Sequence, residues 1–303
     1  VVDIDGAVDM ASTLQVDGAL TTSSTINTLG ISGSKTNFVG SMLISNDAGT
    51  GTLNGASDNT GFGHEVFDDL TTGDSNTAVG HESLSKLTTG SSNTAVGDVS
   101  LQNNTTGVFN TAVGKYALAA NTTGTRCTAI GRNALQAQDT ESDNIAIGYN
   151  AMTTNTAGGS QNIAIGNYAL DALTSADNCV AIGYNAMTAN NTGTTNTAVG
   201  ALAMETNTTG AENVAIGFNA FNDNNAGYGV AIGSQCATKN TTGASNVAIG
   251  NSALNTNTTG SHNIATGYSA LKENTTGARN IAIGRNTGRV INSGSYNIFL
   301  GKN

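Results

Sequence analysis

From Asn59 onward the apolar and polar positions repeat every seventeen residues, seen most cleanly over 246–262, NVAIGNSALNTNTTGSH. A five-residue head, Asn-[Thr/Ile/Val]-Ala-[Val/Ile]-Gly, begins at Asn59, Asn76, Asn93, Asn110, Cys127, Asn144, Asn162, Cys179, Asn196, Asn213, Gly229, Asn246, Asn263, Asn280 and Asn297. Every step is 17 residues except one of 18, from Asn144 to Asn162, and one of 16, from Asn213 to Gly229. A fixed short period is the signature of a solenoid, whose coils are too thin to bury their apolar groups until neighbours stack on them. The expected fold is all-β: a parallel β-solenoid of about fifteen 17-residue coils.

Each column of the repeat carries its own instruction. The second head position holds only Thr, Ile or Val, the β-branched residues that strands favour. The third is Ala from Ala78 through Ala282, and the fifth is always Gly. Alternate strand residues face opposite ways, so Ile163 and Ile165 share one face and Ala164 points through the other. Both faces are apolar, and both are expected to be buried. The unbroken Ala column is assigned to the coil interior, so the Val/Ile face has to meet something outside the coil. Past each head Gly come a small and a large apolar residue, as in Ala117-Leu118, Ala151-Met152 and Ala253-Leu254, expected to form a second short strand or bend. A polar return closed by Thr-Thr-Gly follows. Two glycines per coil at fixed phase imply positive φ or close approach between coils. The Asn column is expected to form an amide ladder that satisfies turn backbone.

Residues 1–58 lie outside the repeat and are expected to form an N-terminal segment of short strands. Val2-Asp3-Ile4-Asp5 and Leu14-Gln15-Val16-Asp17 alternate apolar with polar, and Asp5-Gly6-Ala7 recurs as Asp17-Gly18-Ala19. This segment shows no self-sufficient core and reads as an adaptor or intertwined shaft. The solenoid is assigned to 59–303, with atypical coils at both ends. Composition sharpens the picture: 39 Gly, no Pro, no Trp and 11% charged residues cannot build a thick core of large side chains, only a long thin one. A formal charge of −10 argues against nucleic acid as a partner. No apolar run approaches the length of a membrane span. Cys127, Cys179 and Cys236 show no metal spacing and are expected to be small buried fillers, with the first two three coils apart and out of disulfide reach. The chain opens at Val1 rather than Met, so a processed or partial form is expected.

The stretch NTAVGKYALAANTTG, from Asn110 to Gly124, carries the whole pattern. It resembles the Asn-Thr-Ala-Val-Gly arrays of phage and phage-like tail fibres, related to the left-handed β-roll head repeats of YadA-type trimeric autotransporter adhesins. The resemblance covers roughly 59–303. It implies a left-handed β-roll, a homotrimer about a three-fold axis, and a place on a virion surface or an extracellular or cell surface. It further implies a structural, attachment role: a rod that spaces or forms a surface that binds a host receptor or surface glycan, joined at its N-terminus to a base or neighbouring fibre protein.

Enzymatic chemistry finds little support, so no catalytic group, cofactor or metal is expected. Asp139-Thr140-Glu141-Ser142-Asp143 is the densest acidic cluster, but no basic or aromatic subsite partners it, and it reads as a solvated loop. His64 and His81 share a phase in adjacent coils, but Asp98, next in their column, makes only a weak third ligand. That column, the residue after each head Gly, is variable and holds Tyr149, Tyr184, Phe218 and Tyr268. Exposed aromatics two or three coils apart, beside Asn150, Asn185 and Asn219, suit weak repeated contacts with sugars, so these four are the candidate binding residues. Two alternatives to the attachment fibre are weighed. An ice-binding solenoid would need a uniform Thr face, whereas Thr here yields to Ile and Val halfway along. A polysaccharide-degrading β-helix would need an acidic cluster with subsites.

Overall fold

The computed structural model describes residues 30–32, 38–39, 42–45, 54–155 and 158–302. The alternating motifs of 1–29 lie outside the described residues. Every regular element described is a strand, and the fold is a parallel β-solenoid of about fifteen turns. Each head forms a three-residue strand, from Thr60–Phe62 and Thr77–Val79 to Ile298–Leu300. Successive heads pair in parallel with identical columns aligned, as in Ile145↔Ile163, Ala146↔Ala164 and Ile147↔Ile165. The register holds through the 18-residue and 16-residue steps, the latter with Ala215↔Ala231. The length changes are therefore absorbed in the polar return.

The sheet also continues back across residue 58. Strand β1 (Gly30–Ser32), β2 (Phe38–Val39), β3 (Met42–Ser45) and β4 (Ala56–Ser57) precede the first head, β5 (Thr60–Phe62). β3 pairs in parallel with β5, placing Leu43 beside Gly61, and β1 pairs antiparallel with β3. β2 and β4 form a separate parallel pair. Leu43 occupies the interior column ahead of the first head and is buried.

The interior column is filled by Ala, fully buried from Ala78 to Ala282. The neighbours on either side of each Ala are half-buried or exposed, so the Ala face is inward and the Thr/Ile/Val face outward. Opposite the Ala column packs the large apolar column: Leu84, Leu101, Leu118, Leu135, Met152, Leu170, Met187, Met204, Phe221, Leu254 and Leu271 are all fully buried. The segment carrying them is a turn rather than a second strand. Alternate residues in it are left-handed, as at Tyr116 (φ 60°) and Leu118 (φ 51°), and this turns the chain back across the core within six residues.

Close stacking explains both glycine columns. Gly114 has φ 135°, and a Cβ there would lie 2.6 Å from the Gly131 carbonyl oxygen of the next coil. Gly107, in the return, lacks that conformation, but a Cβ would meet Asn104 Oδ1 at 2.3 Å and Gly124 O at 2.4 Å. Three further glycines compensate for large neighbours. Phe67 lies against Gly61, Phe221 against Gly229 and Phe299 against Gly288, each ring filling space that a side chain on its glycine would need. Thus Gly229 in the Asn column and Gly61 in the Ala column offset bulk rather than breaking the pattern.

The Asn column forms the expected ladder. Asn76 donates from Nδ2 to Asn59 Oδ1 (3.0 Å) and to Gly90 O (3.0 Å), while the same Asn59 oxygen accepts the Asn76 backbone N–H (2.9 Å). The unit recurs at Asn93, Asn213, Asn263 and Asn280. Each amide therefore joins two coils and satisfies return backbone in a core that holds no water-exposed partner for it. Cys127 and Cys179 substitute in this column as buried free thiols. A backbone N–H from each still reaches the preceding asparagine, Asn110 or Asn162, at 2.9 Å.

A second ladder runs eleven residues past the head, and the sequence reading missed it. Asn207 donates to Asn190 Oδ1 (2.9 Å); farther on, Asn240, Asn257 and Asn274 each donate to the amide oxygen one coil back, at 2.6, 2.6 and 2.8 Å. Where the column residue or the coil length changes, the ladder ends on a buried oxygen without a hydrogen-bond partner. This happens at Asn121 before Gln138, at Asn155 before Leu173, at Asn207 before the 16-residue coil, and at Asn274 before Ile291.

Candidate functional site

The outward faces of the coils present three surfaces along the rod. The first is the aliphatic ribbon made by the fourth head position. Val96, Val113, Ile130, Ile165, Ile182, Ile216, Ile232, Ile249 and Ile283 are each at least 36% exposed in the single chain. In-register stacking places them side by side at about 4.8 Å per coil, so they form an apolar strip, interrupted by Thr266, rather than scattered exposed residues.

The second surface is the column after the head Gly. Tyr149, Tyr184, Phe218 and Tyr268 all stand in it and are between 36% and 53% exposed. The structure does not space them evenly. Tyr168, absent from the sequence-based set because it sits one residue later in its coil, stands between Tyr149 and Tyr184. Its ring meets theirs edge-on, with centroids 5.4 Å and 6.2 Å away. Arg132 caps the cluster over Tyr149 at 5.9 Å. Desolvation by the neighbouring rings pushes the Tyr168 hydroxyl above the ordinary tyrosine range. Tyr268 is separate, with the Arg285 guanidinium 5.5 Å from its ring, and Phe218 lies between the two groups. The flanking asparagines have a conformational reason for their identity: Asn150, Asn185 and Asn219 have φ of 52°, 53° and 58°, where Asn is the preferred non-glycine residue. Two of their side chains are engaged locally, Asn150 Oδ1 accepting from Asn133 and Asn185 Nδ2 donating to Glu205. A second set of exposed rings, Phe109, Tyr228 and Tyr296, lies immediately before the heads, again at left-handed φ near 60°.

The third surface is polar and lies at the start of the array. His64 and His81 stack with centroids 5.3 Å apart and planes 15° from parallel. Asp98 Oδ1 lies 3.1 Å from His81 Nδ1, and Asp98 Oδ2 lies 2.6 Å from Lys115 Nζ. Hydrogen bonding from Lys115, then from His81, holds the Asp98 carboxyl below the usual carboxylate range. The acidic cluster of 139–143 does not converge on a site. The Glu141 carboxylate accepts the backbone N–H groups of Asp139 and Thr140, and Asp143 is paired with Arg126 at 2.6 Å.

The fold and these surfaces define a β-solenoid repeat protein. No family model matches the chain, and no curated protein is significantly similar to it.

Proposed function

We propose that the chain is a structural attachment fibre, a β-solenoid rod that works as a homotrimer and carries a surface for a glycan or host receptor at a virion or cell surface. The observation that carries this reading is the aliphatic ribbon. A strip of Val and Ile along the array, broken only at Thr266 between Phe62 and Leu300, is favourable to cover, at about 25 cal/mol per Å2 of apolar area removed from water. Three copies set about an axis along the rod would cover the strip from end to end, in keeping with the resemblance to trimeric fibre repeats.

Binding is assigned to the aromatic column: Tyr149, Tyr184, Phe218 and Tyr268, with Tyr168 completing the first group. Aromatic faces offer apolar area with little entropy to lose, and weak contacts repeated along three chains add through avidity. A variant with Tyr149, Tyr184, Phe218 and Tyr268 all changed to Ser is expected to lose glycan-array or host-cell binding while keeping its solution mass. Undiminished binding would remove these side chains from recognition.

A further inference from the structure

Within their own column, from coil to coil, His64 and His81 meet only Asp98 as a third donor. The fold supplies the third donor from the next position instead. Left-handed φ at Glu65 (53°) turns its side chain back beside His64, with Glu65 Oε1 3.5 Å from His64 Nδ1. One donor atom from each of His64, Glu65 and His81 lies within 4.8 Å of the other two. His64 Nδ1 is buried and has no hydrogen-bond partner, although its imidazole is 40% exposed as a whole. A buried nitrogen with no hydrogen-bond partner, 3.5 Å from a carboxylate oxygen and on a ring stacked against a second imidazole, is an unmet demand for a ligand.

From this geometry we propose that His64, Glu65 and His81 bind a divalent transition ion of the zinc class, clipping the first coil of the array to the second. The donor set selects the ion. Two imidazole nitrogens and one carboxylate suit zinc and its borderline neighbours, whereas calcium and magnesium call for oxygen donors throughout. Metal–nitrogen bonds of about 2.0–2.1 Å require the donors to close in from their present separations. The half-exposed His64 ring, whose Nδ1 has no hydrogen-bond partner, and the Glu65 side chain supply that movement by turning about their side-chain bonds, while His81 stays held by Asp98. The surroundings match what metal-bound histidines need. Asp98, itself held by Lys115, faces His81 Nδ1 and fixes the ring, leaving Nε2 for the ion. Glu82 Oε1, 3.7 Å from His81 Nε2, adds negative charge at the same place, with Gln102 donating to its other oxygen. Water would complete the coordination on the open side. The first two coils lie where the array meets its N-terminal segment, so the clip would reinforce the junction at which β5 passes from β3 to the regular repeat.

The test uses cobalt(II) as a spectroscopic probe on the full chain, followed by displacement with zinc and thermal unfolding with and without zinc. The expected result is visible d–d absorption saturating at one ion per chain, and a zinc-dependent rise in Tm. Both disappear in a His64→Gln, His81→Gln double variant whose circular dichroism is unchanged, and both persist in His262→Gln. Asp98→Asn, which leaves all three proposed ligands in place but weakens the support of His81 and removes the ion pair to Lys115, is expected to weaken cobalt binding about 10–100-fold. Absence of the band at millimolar cobalt would overturn the proposal. So would a band or a Tm rise that survives the double substitution, because the ion would then be held elsewhere.

Discussion

At the scale of single residues, backbone conformation decides which apolar residue each column accepts. Between the terminal coils the outward head positions take β-branched residues, while the buried large column takes Leu, Met or Phe, with Ala237 and Gly288 as its small exceptions, and never Val or Ile. Hydrophobicity does not distinguish these sets, but φ does. The Leu, Met and Phe residues of the large column lie at φ between 47° and 58°, where a branched Cβ collides with the backbone. Among the described non-glycine residues at positive φ, Val99 and Thr195 alone are β-branched. Leu118→Ile should therefore destabilise the fold beyond any repacking, because β-branching adds to a left-handed strain that Leu118 already bears, whereas Leu118→Met should be tolerated, as urea unfolding would show. Ala248→Leu tests the opposite wall: it overpacks the interior and should cost about 1–3 kcal/mol, read as a lowered Tm. An unchanged Tm would place the Ala column outside. The buried thiols add a pH dependence. Burial pushes Cys236 from 9.0 up to about 12, so the folded state prefers the neutral thiol. Its contribution to stability is full below pH 9 and is lost as pH rises from there towards 12. Relative to Cys236→Ala, the unsubstituted chain should lose about 1.4 kcal/mol per pH unit within that window.

At the scale of the coil, two amide ladders and a strand of three residues replace the thick core that this composition cannot build. The strand, the inward Ala column and the first ladder were legible in the sequence because each occupies one fixed position in nearly every coil. The turn was less legible. Ala117-Leu118 reads as an apolar pair, and nothing in those letters announces left-handed φ at Tyr116 and Leu118 until the absence of Val and Ile from the column is noticed. The second ladder was hidden for a related reason: its asparagines sit in the Asn-Thr-Thr-Gly return, where polar residues read as solvated, and Leu70, Leu87, Leu173 and Ile291 interrupt them. Size exchanges such as Phe221 with Gly229 look like lapses in single columns and make sense only when two columns are seen to share space. The ladder's broken ends lead to a prediction. Ile291→Asn would supply a donor to the unpartnered Asn274 oxygen. A buried hydrogen bond contributes about 0.5–1.5 kcal/mol, and satisfying an orphaned acceptor adds to that. Tm should rise despite the loss of a partly buried aliphatic group, and a fall would mean that Ile291 packing outweighs the bond.

At the scale of the whole molecule, the rod is asymmetric in charge, whereas its apolar ribbon runs along the array with a polar break only at Thr266. Residues 1–98 carry twelve acidic groups against Lys35 and Lys86, whereas 239–303 carry Glu273 against six basic groups. The basic end can bias approach to an anionic surface, and binding of that kind should weaken as salt is raised. The candidate recognition residues were legible as an exposed aromatic column. Their grouping was not, because Tyr168 enters from the adjacent column and only the fold brings the three rings together. The ribbon carries the central claim, that one chain is an incomplete unit whose aliphatic face is covered by two others. Sedimentation equilibrium at micromolar concentration tests it most directly. A single species of three times the 30.3 kDa chain mass is predicted, and a folded species of one chain mass, stable over the same concentrations, would contradict it.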